Sequence, residues 1–315
     1  MKVAVVQTRW ADDPADGLKN AHRAIEEATA SGDPDVICFP EFFLGPPWYM
    51  PGQTHLRGLT DTRIPGPAVD TFRELARGTR TNIVLGSIVE ELDDGKYSNT
   101  SLFLDRDGEI TGRAAKAHVF GNEMVVCRPA DSLGIVETDF GRVGLAVCSD
   151  FWVPESIRVM ALAGVHTVFV PGGTLRQNQA LMVNALRTTA YLNGVNVVYA
   201  SSVGLVEGHR EGRVVQIHFA GTSLVVSPEG VTAQAGSARP QILHADLDPP
   251  EPRGDGERWI AMRRPDAYAP LLGPYVGIHR DLAAELRTSL ASNEADGRPT
   301  GAPTGAPTTT AQAGA

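Results

Sequence analysis

Several things are scarce in this chain of 315 residues. Cysteine occurs at Cys38, Cys127 and Cys148 only, too few and too scattered for a disulfide framework, so the expectation is reduced thiols in a cytoplasmic protein. Lysine supplies only Lys2, Lys19, Lys96 and Lys116 of the 28 Lys and Arg residues. Where this chain needs just a surface cation it uses arginine, so a lysine inside the sequence pattern calls for a specific reason. Positive charge is short overall: a formal net charge of −9 argues against nucleic acid or an anionic membrane surface as partner. No apolar run approaches the roughly eighteen residues of a membrane span. The segment from Met1 to Gln7 enters a strand pattern at once, without the apolar core and cleavage site of a signal peptide. What is left, 42% hydrophobic and 21% charged, is an ordinary globular composition, long enough for one large domain or two smaller ones.

Strand and helix periods alternate along it. Residues 2–9 read as a strand, and Pro14 to Ser31 as a helix with Leu18, Ala21, Ile25 and Ala28 on one face. Asp35 to Pro40 is a short apolar strand that ends at Glu41. A Pro- and aromatic-rich loop from Phe42 to Gln53 carries Trp48 and Tyr49, and a second helix follows Ile64-Pro65-Gly66-Pro67 with Val69, Phe72, Leu75 and Ala76 on its stripe. Asn82 to Leu92 and Tyr97 to Asp105 read as the two strands of a hairpin, while Gly112 to Cys127 shows neither period and reads as an irregular functional loop. Strands at 133–138 and 142–148, helix 154–163, strand 166–171, helix 177–192 and strand 195–201 come next, then a strand-rich stretch from Arg213 to Asp248. The pattern predicts an α/β sandwich. Residues 1–280 are expected to form the folded domain, 281–292 a helical extension, and 293–315, a Pro-Thr-Gly-Ala low-complexity run, a disordered tail.

The stretch that invites chemistry is Val143 to Glu155. Its apolar strand stops at Cys148, and Pro154-Glu155 opens a helix. A thiol at the carboxyl end of a strand, facing a helix amino end, sits where open α/β sheets place reacting groups, and the helix dipole there would favour thiolate. The alternative is a packed core cysteine. Strands 36–40 and 143–147 each end on a reactive side chain; as near neighbours in one sheet they would open Glu41 and Cys148 onto the same rim. A carboxylate there could take the thiol proton; the alternative for Glu41 is a solvated loop acid or a helix cap. Lys116 offers a compact ammonium for a developing oxyanion, or else a surface lysine. Glu123 could hold that ammonium or support the base, or be a plain surface acid.

Phe39-Pro40-Glu41-Phe42-Phe43, Lys116-Ala117-His118 and Val147-Cys148-Ser149-Asp150-Phe151-Trp152-Val153-Pro154-Glu155 together resemble the three signatures of the nitrilase, or carbon–nitrogen hydrolase, superfamily. Ile64-Pro65-Gly66-Pro67, Tyr97-Ser98-Asn99-Thr100 and Asp246-Leu247-Asp248 agree, and the match runs in order over roughly residues 2–275. The resemblance implies a four-layer α-β-β-α sandwich, with Glu41 as general base, Lys116 as oxyanion stabiliser, Cys148 as nucleophile and Glu123 as an additional glutamate. It implies a thioester intermediate, the Ser149 N–H as second oxyanion donor, no metal or organic cofactor, and at least a homodimer. The expected substrate is a small-molecule amide or N-carbamoyl compound. Nitrile hydrolysis, acyl transfer from the same acyl-enzyme, and a catalytically silent scaffold are the alternatives. Nitrilases of the family usually carry Trp-Glu after the nucleophile, so Ser149-Asp150 looks like the amidase and carbamoylase side. The short stretch from Lys116 to Glu123 is more like the nitrilase branch. Phe151-Trp152 stand where carbamoyl-amino-acid hydrolases place carboxylate-clamping arginines. Phe151, Trp152, Trp48 and Tyr49 are candidates for an apolar pocket wall, with core or interface as the other reading. Arg176 could meet a polar substrate end, or be a solvated surface residue.

Overall fold

The computed structural model describes residues 1–11, 13–47, 49, 61–210, 213–248, 254–268 and 271. The first sheet is laid down by β1 (Lys2–Gln7), β2 (Val36–Cys38), β3 (Asp61–Thr62), β4 (Asn82–Val84), β5 (Ile88–Glu91), β6 (Tyr97–Leu104) and β7 (Ile110–Ala115). The second contains β8 (Gly134–Thr138), β9 (Gly141–Leu145), β10 (Thr167–Gly172) and β11 (Asn196–Ser201). A two-stranded ribbon, β12 (Val203–Arg210) with β13 (Arg213–Ala220), then leaves the second sheet, which β14 (Leu224–Ser227) and β15 (Gly230–Gln234) complete. β16 (Gln241–Asp246) returns to the first sheet, antiparallel to β1. The helices are α1 (Pro14–Gly32), α2 (Pro67–Thr79), the single turn α3 (Glu123–Val126), α4 (Pro154–Leu162), α5 (Gln179–Asn193) and α6 (Gly254–Ala261).

Period-2 alternation sorts the side chains into layers. Along β1, Ala4 and Val6 meet Ala21, Ile25 and Phe72 of α1 and α2, whereas Val3 and Val5 point inward to Val143, Phe169 and Val198 of the second sheet. On the far side Val168, Val170 and Tyr199 pack under Ile157 and Met160 of α4 and Leu186 of α5. The order is therefore helices, sheet, sheet, helices, the α-β-β-α sandwich that the sequence resemblance implies. α1 forms where Asp13 caps it, its carboxylate accepting from Ala15 N at 2.6 Å, with Pro14 fixing the first turn and Ala21, Ile25 and Ala28 making a buried stripe. Each large apolar side chain removed from water contributes roughly 1.5–3 kcal/mol, so the inter-sheet layer sets firmly how one sheet's strand ends face the other's.

Three sequence expectations need correction. β2 and β9 are not neighbours in one sheet; they lie in the two stacked sheets, and the rim they share is that of the sandwich. The expected strand 82–92 breaks into β4 and β5, which pair with successive stretches of one edge of β6 while β7 takes the other edge. The break falls at Gly86, whose φ of 34° is left-handed and where a Cβ would sit 2.1 Å from the Pro40 carbonyl oxygen, so only glycine lets the chain pass. The expected irregular stretch 112–127 is partly ordered, as the end of β7 and as α3, leaving the loop between them to carry Lys116. The expected helical extension 281–292 and low-complexity tail 293–315 lie outside the described residues.

Candidate active site

Glu41 follows β2 and is fixed through its backbone. It bridges in parallel to Ser87 just past the Gly86 break, Phe42 N donates to the Ser87 carbonyl at 3.0 Å, and the Trp10 indole N–H donates to the Glu41 carbonyl at 3.3 Å. Lys116 follows β7, where its N–H donates to the Asn99 carbonyl at 2.8 Å. Glu123 opens α3, and its Oε2 accepts from Phe120 N at 3.0 Å.

These three side chains form one hydrogen-bonded group in the interior. Lys116 Nζ donates to Glu41 Oε1 at 2.8 Å and meets Glu123 Oε2 at 2.7 Å. Asn99 Nδ2 spans the same two carboxylates, donating to Glu41 Oε1 at 2.9 Å and to Glu123 Oε1 at 2.7 Å. Glu41 is 6% exposed, Lys116 and Glu123 3% each. Burial alone would strip Lys116 of its proton, but Glu41 and Glu123 outweigh it and hold the ammonium's pKa well above the usual lysine value. Charges this deep persist only when paired and hydrogen-bonded, and here every one is.

Cys148 reaches the same place from the second sheet. It opens a 3-10 turn, Cys148–Trp152, with a φ of 45°, a left-handed conformation that a non-glycine residue holds only where its surroundings enforce it. The sequence expectation of a helix-stabilised thiolate does not hold. Burial raises the thiol pKa most, the neighbouring Glu41 raises it further, and Lys116 and the Gly173 N–H, which pull it down, do not compensate. The resting group is a neutral thiol in hydrogen-bond contact with the Glu41 side chain. Gly173 lies close by: a Cβ there would sit 3.0 Å from the Phe219 ring, a tight contact, and 3.6 Å from Glu41 Oε2. Behind it, the Tyr199 hydroxyl braces the turn through Thr174, accepting from Thr174 N at 3.2 Å and sharing a 2.7 Å hydrogen bond with Thr174 Oγ1.

The other candidate residues scatter. The Ser149 hydroxyl donates to the His118 carbonyl. Phe151 is 2% exposed and packs on Tyr199 within the core under α4 and α5. Trp152 stacks on Phe151 at 4.5 Å between ring centroids and is 40% exposed. Tyr49 is buried in an apolar cluster with Trp10, Phe42, Cys127 and Phe219 beside the two carboxylates, and that burial drives its hydroxyl pKa well up. Trp48 lies outside the described residues, and Arg176 is exposed on the turn Arg176–Asn178. Asn99, Asp150, Gly173 and Tyr199 were not singled out from the sequence as site residues. Asn99 and Asp150 appear there only inside motifs, Tyr97-Ser98-Asn99-Thr100 and Cys148-Ser149-Asp150, and Gly173 and Tyr199 not at all.

With this geometry in view, comparison with known proteins is specific. Residues 2–253 match the family model for carbon-nitrogen hydrolases. An (R)-stereoselective amidase of Pseudomonas sp is 30% identical over 79% of this chain and 86% of its own length. N-carbamoylputrescine amidase of Arabidopsis thaliana is 28% identical over 86% of this chain and 94% of its own. In fold, the chain superposes on a carbon-nitrogen hydrolase from Helicobacter pylori G27 with a TM-score of 0.79 at 24% identity, covering 88% of this chain and 99% of that one. On the extent of the family match and the relatives that share it, this chain belongs to the carbon-nitrogen hydrolase family.

Proposed function

We propose that this enzyme is an amidase that hydrolyses small-molecule amides through a thioester on Cys148. The observation that carries this reading is the Cys148 side chain in contact with Glu41, whose carboxylate already accepts from the buried Lys116 ammonium. A thiol that does not ionise by itself needs a base in contact, and Glu41 is that base. As its Sγ attacks the carbonyl carbon, the thiol proton passes to Glu41, and the carbonyl oxygen becomes an oxyanion that Lys116 Nζ and the Ser149 N–H receive. Collapse breaks the carbon–nitrogen bond, and the proton on Glu41 leaves with the nitrogen as ammonia or an amine. Water then adds to the thioester, its proton again taken by Glu41, and the acid leaves with the thiol restored. Glu123 keeps Lys116 in place while Glu41 changes protonation state, so the ammonium never loses both partners.

Intact-mass measurement of the wild type and Cys148→Ala, incubated with pooled amides, carbamoyl compounds and nitriles with ammonia assayed alongside, tests this. The wild type should gain the mass of an amide less that of ammonia, and the variant nothing, with turnover lower by a factor on the order of 10⁴ to 10⁶. An adduct of a whole nitrile would make the enzyme a nitrilase instead. A variant that released ammonia as fast as wild type would rule out the mechanism.

A further inference from the structure

Lys116 and Cys148 hang from different sheets, yet the proposed reaction needs them fixed against each other within a fraction of an ångström. The Lys116–Glu41–Glu123–Asn99 group lies on elements of the first sheet or on the loop and turn that follow β7. Asp150 reaches across. Its Oδ2 accepts from Val147 N, immediately before the nucleophile, at 2.9 Å. Its Oδ1 accepts from Ala117 N at 3.1 Å and His118 N at 2.8 Å, immediately after Lys116, and lies 2.9 Å from His118 Nδ1. The carboxylate is 3% exposed, so these bonds are its replacement for water. Asp150 N also donates to the Val147 carbonyl at 3.1 Å, closing the turn that keeps Cys148 at positive φ, and the Ser149 hydroxyl adds a bond to the His118 carbonyl.

From this geometry we infer that Asp150 is a positioning residue: it ties the segment after Lys116 to the strand end before Cys148, setting the oxyanion donor and the nucleophile in one frame. A second hydrolytic triad is not what the cluster builds. Ser156 Oγ, at 3.4 Å, and Asp150 both approach Nδ1 of His118, whereas a Ser-His-Asp relay uses opposite ring nitrogens. The inference rests on the amidase reading for the step it serves, while the tie itself is a matter of Cys148 geometry.

Asp150→Asn tests it, since the amide keeps the shape but turns a donor toward backbone N–H groups. Two readouts on the full chain separate the possibilities: turnover of whichever amide forms the adduct, and the rate at which iodoacetamide alkylates Cys148, followed by intact mass. The expected result is a kcat lower by about 100-fold with KM within about threefold, the signature of misplaced groups rather than lost binding. Alkylation should slow about tenfold, at near wild-type circular dichroism. An alkylation rate equal to wild type overturns the inference whatever happens to turnover, and so does a loss carried by KM, which would make Asp150 a substrate contact. Should Asp150→Asn fail to fold, Ser149→Ala decides. It removes one bond of the same tie and should slow alkylation about threefold, and an unchanged rate there rejects the proposal. Slowed alkylation in an enzyme that turns over no amide would leave the tie standing and reject only the amidase reading.

Discussion

The two halves of the site are stabilised in opposite ways. On the first-sheet side Glu41, Lys116 and Glu123 are tied into one buried set by hydrogen bonds from Lys116 Nζ and Asn99 Nδ2. On the second-sheet side Cys148 sits in a left-handed turn, its thiol kept neutral by burial and by Glu41, on a backbone bent for it. The first half is over-determined; the second is held under strain. Charge is stored where it is fully paired, and the reactive atom is placed where a single proton transfer changes its character. The difference also says where each half is fragile. Taking one member from the hydrogen-bonded set exposes the cost of the others, whereas removing the thiol relieves a constraint.

The largest effect expected from that contrast is on stability. Lys116→Met should abolish turnover and cost about 3–5 kcal/mol in chemical denaturation, because two buried carboxylates lose their shared cation. Cys148→Gly should abolish turnover too, yet leave stability unchanged or raise it by about 1 kcal/mol, since glycine holds a φ of 45° without strain. Equal losses in both variants would erase the distinction between a paired half and a strained half.

A middle-sized effect sharpens the first half alone. Asn99→Leu removes a neutral donor that serves both carboxylates. It should cost about 1–3 kcal/mol, the penalty for acceptors left short of a partner in the interior. Its turnover should fall less than that of Lys116→Met, because the ammonium still touches both glutamates. A larger loss of stability for Asn99→Leu than for Lys116→Met would mean that the amide, not the lysine, organises the group.

What the sequence made legible follows the same division. Glu41, Lys116 and Cys148 stand out because each interrupts a local pattern: two end apolar runs and one is a rare lysine. That the structure brings them together with Glu123 is foreshadowed by the resemblance, not by any spacing, since 107 positions part Glu41 from Cys148 (148 − 41). Stacking of two sheets was legible as a fold class, but not which sheet owns which strand, so the shared rim was first drawn as the edge of one sheet. Asp150 and Tyr199 were out of reach for a physical reason. An acid after a strand and a tyrosine within one are ordinary, and their work appears only when loops from the other sheet, or the Gly173 turn, are laid against them. Gly86 was equally silent: a lone glycine in an apolar strand pattern does not announce that the strand breaks there.

The smallest effect concerns a property the two halves share. Cys38, buried between the sheets, and Cys148, at the rim, both have thiol pKa values raised, the first by burial alone and the second chiefly by burial. In the unfolded chain each ionises near about 8.5, below its folded value. The folded state therefore keeps protons that the unfolded state gives up, and the stability this confers is intact below about pH 8.5 and drains away as pH rises toward the folded value. Each thiol should remove about 1.4 kcal/mol per pH unit in that window. Tyr49, Tyr199 and Lys116, also raised, add the same sign of loss further up the alkaline range. Denaturant titrations of wild type, Cys38→Ala and Cys148→Ala at pH 7.5 and about pH 9.5 measure it. Cys38→Ala starts lower, having left a gap between the sheets, but both variants should lose less than wild type between the two pH values, and by similar amounts. If only Cys38→Ala flattened the profile, Cys148 would ionise in the folded protein as readily as in the unfolded chain, and the strained half of the site would hold a thiolate after all.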